Sequence, residues 1–489
     1  MAELPPPGPL VDTYRLYIDG GWVEPGDGRY DDIDPATEQV IAGAPDASVA
    51  QVGDAIAAAR RAFDDGPWSA MGPEERSACL NQLGAALLER ADEFFALSQA
   101  EWGCVANERM MQIDGAGYTS MHAAQLATQL VDEPVTGIGA GTTVLRHEPL
   151  GVVSILTPWN FPHILNVMKV NNALAAGNTV VLKPSPLTPL AGLALARIID
   201  EHTDIPPGVV NVVTPSGLQA AKLLTTDPRI DMISFTGSST VGCEVMRSAG
   251  DAMTRLLLEC GGKSASVVLD DATVTDEMLE QLLFNCCSLH AGQACILHSR
   301  LLLPEKLHDD VVDRLVALAG DVKVGDPRDP ATRMGPLISA AQRDRVQKHV
   351  DGAVRDGAKL VTGGGRPAGL DTGFYFEPTI LTEVDPDSAI AQEEVFGPVL
   401  TVLRYAGDDE AVAIANNSRY GLSGAVWGTD VDRAVAVARR IRTGQVAING
   451  VGPGDAPFGG FKLSGFGRES GGIRGLHQYM EVKAIGIPA

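Results

Sequence analysis

Residues 151–187 read GVVSILTPWNFPHILNVMKVNNALAAGNTVVLKPSPL, and this stretch decides the fold. Gly151-Val152-Val153-Ser154-Ile155-Leu156 and Thr179-Val180-Val181-Leu182 are short, nearly continuous apolar runs. Strands of that kind are covered on both faces, whereas half-exposed strands alternate polar and apolar residues. Residues 166–176, between them, read as a helix. The first run ends in Thr157-Pro158-Trp159-Asn160-Phe161-Pro162, whose two prolines cannot continue a sheet. Outward from here the pattern repeats, with strands at 209–213 and 232–235 and helices at 189–202 and 217–226. This alternation predicts an α/β fold with a doubly wound parallel sheet. Sheets of that type bind ligands in the loops beyond the carboxyl ends of their strands.

Upstream, Tyr17-Ile18-Asp19-Gly20-Gly21-Trp22 reads as strand and turn. Residues 48–63 read as a helix that Ser48 could cap, and residues 73–97 as a helix opening on Pro73. A second alternation follows Gly261. Strands are expected at 265–269, 299–303, 399–405 and 424–427, with helices at 275–289, 306–318 and 340–357. The reading is two α/β domains hinged near Gly261-Gly262, with a ligand crevice between them.

Composition narrows the classes. The chain has 489 residues and a formal charge of −24, from 38 Lys and Arg against 62 Asp and Glu. Such a surface repels phosphate backbones and anionic lipid headgroups, so neither nucleic acid nor membrane is expected as a partner. No apolar run approaches the roughly 20 residues that span a bilayer. The opening MAELPPPGPLVDTY has no basic segment followed by an apolar one, so no signal peptide is expected. Seven cysteines, at 79, 104, 243, 260, 286, 287 and 295, form no CxxC pair and no cluster with zinc-ligand spacing. Reduced thiols in a cytoplasmic protein, and no metal, are the expectation.

Three loops carry candidate chemistry. Phe235-Thr236-Gly237-Ser238-Ser239-Thr240-Val241-Gly242 opens a helix whose free N–H groups could hold a pyrophosphate, although it lacks the G-x-G-x-x-G spacing. Leu258-Glu259-Cys260-Gly261-Gly262-Lys263 ends an apolar strand in an acid followed by paired glycines. Gly292-Gln293-Ala294-Cys295 sets a thiol beside a glycine that permits close backbone approach. Taken singly, each of the seven cysteines is more often an inert core thiol than a nucleophile.

The ordered set T-P-W-N-F-P, K-P-S, F-T-G-S-x-x-x-G, E-C-G-G-K, G-Q-x-C, E-E-V-F-G-P and P-F-G-G-F-K-x-S-G-x-G-R-E spans residues 151–469. It resembles the NAD(P)-dependent aldehyde dehydrogenase superfamily. The resemblance implies oxidation of an aldehyde to a carboxylic acid through a cysteine thiohemiacetal and thioester. Cys295 is then the nucleophile, Asn160 the oxyanion donor and Glu259 the general base. Cys286 and Cys287, in a helical stretch, are the rival thiols, and His290 is read as structural. The alternatives are a coenzyme A-acylating relative, which needs no water-activating base, and a non-catalytic binding protein of the same fold.

By the same resemblance, Lys183 holds the adenine ribose and Glu394 the nicotinamide ribose. Thr157, Trp159, Ser185, Gly237, Ser238, Gly261 and Phe396 complete the cofactor set. NAD is expected, with NADP the alternative, because Pro186 stands where many NAD-preferring members carry a glutamate. The aldehyde pocket is expected from Phe161, Leu165, Met168, Ile296, Phe458 and the helix near Tyr118. Its lack of Arg and Lys favours a medium or large apolar aldehyde. The implied domains are 1–125 with 150–261 for the dinucleotide and 262–457 for the catalytic cysteine. Residues 126–149 and 470–489 are the implied β arms of a homodimer or homotetramer.

Overall fold

Five parallel strands, Val152–Leu156, Thr179–Lys183, Val210–Val212, Met232–Thr236 and Arg255–Glu259, form the centre of an eight-stranded sheet in a computed structural model that describes residues 14–135 and 141–488. Successive residues of one strand feed opposite cores. Val153 and Ile155 pack with Leu83, Val167 and Leu193, while Val152 and Leu156 pack with Ile56, Leu224 and Val245. Burial on both faces is why these strands read as unbroken apolar runs. The chain steps one way through the first three strands and the other way through the last two. The loops after Val152–Leu156 and Met232–Thr236 therefore flank the switch point, where such sheets open a crevice.

A second sheet of seven strands orders Lys359–Thr362, Thr379–Thr382, Val399–Tyr405, Arg300–Pro304, Ala265–Val268, Gly424–Trp427 and Ala447–Ile448. All its pairings are parallel except that of Lys359–Thr362. A third, antiparallel sheet joins Met480–Ile487, Thr142–Pro149 and Glu133–Val135, within the segments expected as arms. The fold class is thus α/β, as read. Among the described residues no helix is long and apolar enough to cross a membrane. The signal-peptide reading of residues 1–14 lies outside the described residues but for Tyr14, as do 136–140 and 489 of the expected arms.

Where the elements differ from the reading, the cause is physical. Ser48 caps Val49–Asp64 in a capping box with Gln51, as its position suggested. Residues 73–97 instead break at Arg90 into Pro73–Glu89 and Ala91–Glu101, and the Arg90 guanidinium clamps Glu93 at 2.6 and 2.8 Å. Both pieces bury apolar residues against one core, so their periodicity runs on across the break. The helix read over 275–289 stops at Leu283 and widens into a π turn, Phe284–Ser288, with Cys286 and Cys287 in the core. The hairpin of Arg29–Ile33 and Val40–Pro45 was not anticipated. Its turn reaches the second sheet's region, where Asp34 meets Arg328 at 3.1 Å. Nor was Gly465–Phe466, which returns to the first sheet antiparallel to Arg255–Glu259.

Candidate active site

A cavity of about 660 Å³ opens between the two large sheets. Its wall includes Trp159, Asn160, Phe161, Leu165, Met168, Gly237, Ser238, Glu259, Gly261, Cys295, Ile296, Glu394, Phe396 and Phe458. Three expected residues stand outside that wall. Thr157 is buried, its hydroxyl donating to Asn166 Oδ1 at 2.6 Å. Lys183 Nζ donates to the Pro184 carbonyl at 3.0 Å, and Ser185 Oγ accepts from the Leu187 N–H at 3.2 Å. The three sit at and just beyond adjacent strand ends, since Leu156 pairs with Lys183. The helix near Tyr118 does not reach the cavity. Tyr118 faces solvent, and Met111 lines the wall from the π turn one step earlier.

Cys295 follows three consecutive left-handed residues, His290, Ala291 and Gly292. At Gly292 only glycine fits, because a Cβ would lie 2.0 Å from Gly397 C and O. The glycines of G-Q-x-C and E-E-V-F-G-P thus bring two loops into contact. The amide of Asn160 donates to the Gln293 carbonyl at 2.9 Å, which fixes it beside the cysteine loop and leaves its second N–H free of that bond. Gln293 is pinned in turn, its Oε1 accepting from Ile338 N–H at 2.9 Å. Cys286 and Cys287 face the core, where Cys287 donates to the Pro398 carbonyl. His290 packs against Phe161, and Glu108 holds its backbone N–H at 2.6 Å.

Glu259 is buried, and both its carboxylate oxygens lack a hydrogen-bond partner. Burial, reinforced by the nearby Glu469 carboxylate, pushes its pKa well above the usual range, while Lys169 and Arg468 pull it down. Its backbone is fixed even so. Gly237 N–H donates to the Glu259 carbonyl at 3.0 Å, and Cys260 N–H to the Ser464 carbonyl at 2.9 Å. Ser464 Oγ also donates to the Gly261 carbonyl at 2.7 Å. A Cβ at Gly465 would meet the Leu258 carbonyl at 1.9 Å, so the S-G of the last motif is the clamp on this segment. The Cys295 thiol is pushed up to about 12 by burial and by the Glu394 and Glu259 carboxylates, and its own and Ile296's N–H groups oppose that rise.

The opposite end of the cavity is built on backbone. Ser238 caps the helix Ser239–Ala249, its Oγ accepting from Val241 N–H at 3.3 Å. The first-turn N–H groups that remain suit an anion. Glu394 Oε1 accepts from Gly262 N–H at 2.8 Å, and burial pushes its carboxyl up to about 7. A Cβ on Gly261 would lie 2.1 Å from Glu394 Oε2, so the carboxylate rests on bare backbone. Phe396, left-handed at φ 59°, meets Trp159 edge-on at 5.2 Å. Gln342 and Arg345, absent from the sequence reading, hold this loop by donating to the Phe396 and Glu394 carbonyls at 2.6 and 2.7 Å. A dinucleotide fits this half: a helix N-terminus for the pyrophosphate, a carboxylate for ribose hydroxyls and an aromatic corner beyond.

A further group was also missed. Lys169 and Glu469 form a fully buried pair at 2.9 Å, and Ser234 and Tyr479 join them at 3.1 and 3.4 Å. The available signal was a lysine on an otherwise buried helix, Pro162–Ala175, matched by the glutamate of the final G-R-E.

Comparison with known proteins is consistent over nearly the whole chain. The profile of the aldehyde dehydrogenase family matches residues 22–485. A betaine aldehyde dehydrogenase of Bacillus subtilis is 38% identical over 482 residues, covering 97% of each chain. A geranial dehydrogenase of Castellaniella defragrans is 38% identical, covering 97% of this chain and all of the relative. The crystal structure of a Mycobacterium tuberculosis aldehyde dehydrogenase with NAD+ superposes with a TM-score of 0.93 at 40% identity, covering 97% of this chain and 98% of that one.

Proposed function

This chain belongs to the aldehyde dehydrogenase family and oxidises aldehydes with NAD; we propose that Cys295, Asn160 and Glu259 carry the reaction and that its substrate is an uncharged apolar aldehyde. The observation that carries the reading is the convergence of these three residues, from separate motifs, on one cavity. Cys295 Sγ adds to the carbonyl carbon, forming a thiohemiacetal. The developing oxyanion is met by the second N–H of Asn160 and the N–H of Cys295 itself, donors held in place before reaction. NAD, when bound, supplies the hydride acceptor that turns this adduct into a thioester. Glu259 then takes a proton from water, whose oxygen attacks the thioester carbon. The acid leaves and Cys295 is regenerated.

The absence of hydrogen-bond partners on Glu259 supports this role, since a base holds its proton-accepting oxygens free, and burial raises its pKa above the ordinary carboxylate value. It also favours hydrolysis over acyl transfer to coenzyme A, and a carboxylic acid product. Gly261, Glu394, Phe396, Trp159, Gly237 and Ser238 are the proposed NAD residues, with Thr157, Lys183 and Ser185 toward the adenine ribose. The cofactor domain is proposed as 1–125 with 150–261, and the catalytic domain as 262–457. Phe161, Leu165, Met168, Ile296 and Phe458 form the aldehyde wall, all of them apolar, while Arg345 of the same cavity sits on the Glu394 carbonyl at the cofactor side. The names of the relatives range from betaine aldehyde to geranial, so the wall rather than the membership supports the choice of substrate. The exposed edge Met480–Ile487 supports assembly into dimers or tetramers through the arms. Seven free thiols support a cytoplasmic location.

The test is reduced-cofactor formation with NAD and, separately, NADP, across short, long, aromatic and charged aldehydes. Long or aromatic aldehydes with NAD should turn over fastest, and Cys295→Ala should abolish steady-state turnover while cofactor still binds. Turnover that persists in Cys295→Ala overturns the nucleophile. A preference for charged aldehydes overturns the substrate class.

A further inference from the structure

We propose that Glu133, His147 and His477 form a zinc-class divalent-metal site at the root of the arm sheet. Their donor atoms lie within 4.8 Å of one another. The sheet explains two of the three. Glu133 sits opposite Leu145, and His147 lies two residues further along the same strand, so both project from one face. His477 arrives independently, from the short turn His477–Tyr479 that leads into Met480–Ile487. Its ring stacks on that of His147 with centroids 3.8 Å apart and planes 5° from parallel.

Two imidazoles and a carboxylate are the donor set zinc takes when a fourth position is left to water. A tetrahedral ion holds such donors about 3.3 Å apart. Metal binding here requires rotation about the side-chain bonds to close the present spacing and splay the stacked rings. The formal charge of −24 concentrates cations at the surface generally, and the two histidines select among them. The site lies on the arm rather than in the cavity. Tyr479, two residues beyond His477, hydrogen-bonds Ser234 and Glu469, so an ion here would brace the turn that enters the buried Lys169–Glu469 pair.

The experiment is zinc titration of untagged Cys295→Ala protein, which removes the competing catalytic thiol, read by competition with a chromogenic chelator and by thermal melting. About one zinc per chain is expected at micromolar affinity or tighter, near −8 kcal/mol, with a rise in melting temperature. Loss of an outer-shell partner already weakens metal binding by about 10–100-fold, so His147→Ala/His477→Ala should lose more than that, along with the thermal rise. His477→Gln and Glu133→Gln carry the same test should the double variant fail to fold. Undiminished binding in these variants overturns the site. So does the lack of saturable binding below about 100 μM zinc in the parent, an affinity weaker than −5.5 kcal/mol.

Discussion

The two halves of the cavity are built from different materials. The half proposed for the cofactor is backbone: a capped helix N-terminus, a carboxylate seated on Gly261-Gly262, and loops in contact at Gly292 and Gly397. The half proposed for the aldehyde is side chains, Phe161, Leu165 and Met168 from one segment meeting Ile296 and Phe458 from two others. Backbone sites tolerate almost no added atoms, so they leave glycines at set spacings in the sequence. A wall of side chains tolerates exchange of one apolar residue for another and leaves no such mark. The proposed reacting centre, at their junction, has an orphaned carboxylate, Glu259, whose charge helps raise the pKa of the Cys295 thiol.

The largest effect is expected at that junction. Glu259→Gln should cut steady-state turnover by about 10²–10⁴-fold, the usual worth of a general base, while sparing a first burst of reduced cofactor. In the parent, turnover should rise with pH as Glu259 loses its proton, and Glu259→Gln should flatten that limb. Stability runs the other way. The folded pKa lies above the unfolded value, so the folded state holds the extra proton, and stability falls as pH climbs through the window between them. Glu259→Gln should therefore melt higher than the parent above that window. Equal loss of burst and steady state would assign Glu259 some other part in the reaction.

Asn160→Ala comes next, with an expected loss of about 10²–10³ in kcat, measured with the best aldehyde of the panel. An effect on the Michaelis constant alone would make Asn160 a binding residue instead. The two halves are then separated by one substitution in each. Gly261→Ala drives a Cβ to 2.1 Å from Glu394 Oε2. The resulting strain of about 1–3 kcal/mol should raise the KM for NAD by roughly 10–100-fold and leave aldehyde preference unchanged. The smallest and most graded effect belongs to Phe458→Ala, which should lower kcat/KM for large apolar aldehydes by roughly tenfold and leave the KM for NAD alone. A change in both constants from either variant would dissolve the distinction between the halves.

Much of the first sheet was legible because its strands are buried on both faces and its loops hold prolines and glycines. Val152–Leu156, Thr179–Lys183 and Met232–Thr236 lie within a residue of their expected bounds. The break at Arg90 was hidden because helices on either side of a kink can share one apolar stripe. The π turn at Phe284–Ser288 was hidden because one extra residue in a turn leaves local periodicity nearly intact. Lys169 and Glu469 stand 300 positions apart, and only their mutual burial marks them as a pair.

By itself, then, the sequence determined what depends on short-range geometry: alternation of strand and helix, loops that must hold glycine, and the ordered motifs that name a family. Tertiary structure decided what depends on packing between distant segments. It drew Cys286 and Cys287 into the core and left Cys295 at the cavity, and it stripped Glu259 of partners. It folded Gly465–Phe466 back as a clamp and brought Glu133, His147 and His477 together where no spacing hinted at a cluster. The physical reason is range: backbone dihedrals and periodicity act over a few residues, whereas burial, charge and ligand geometry are set by whichever segments the fold brings into contact.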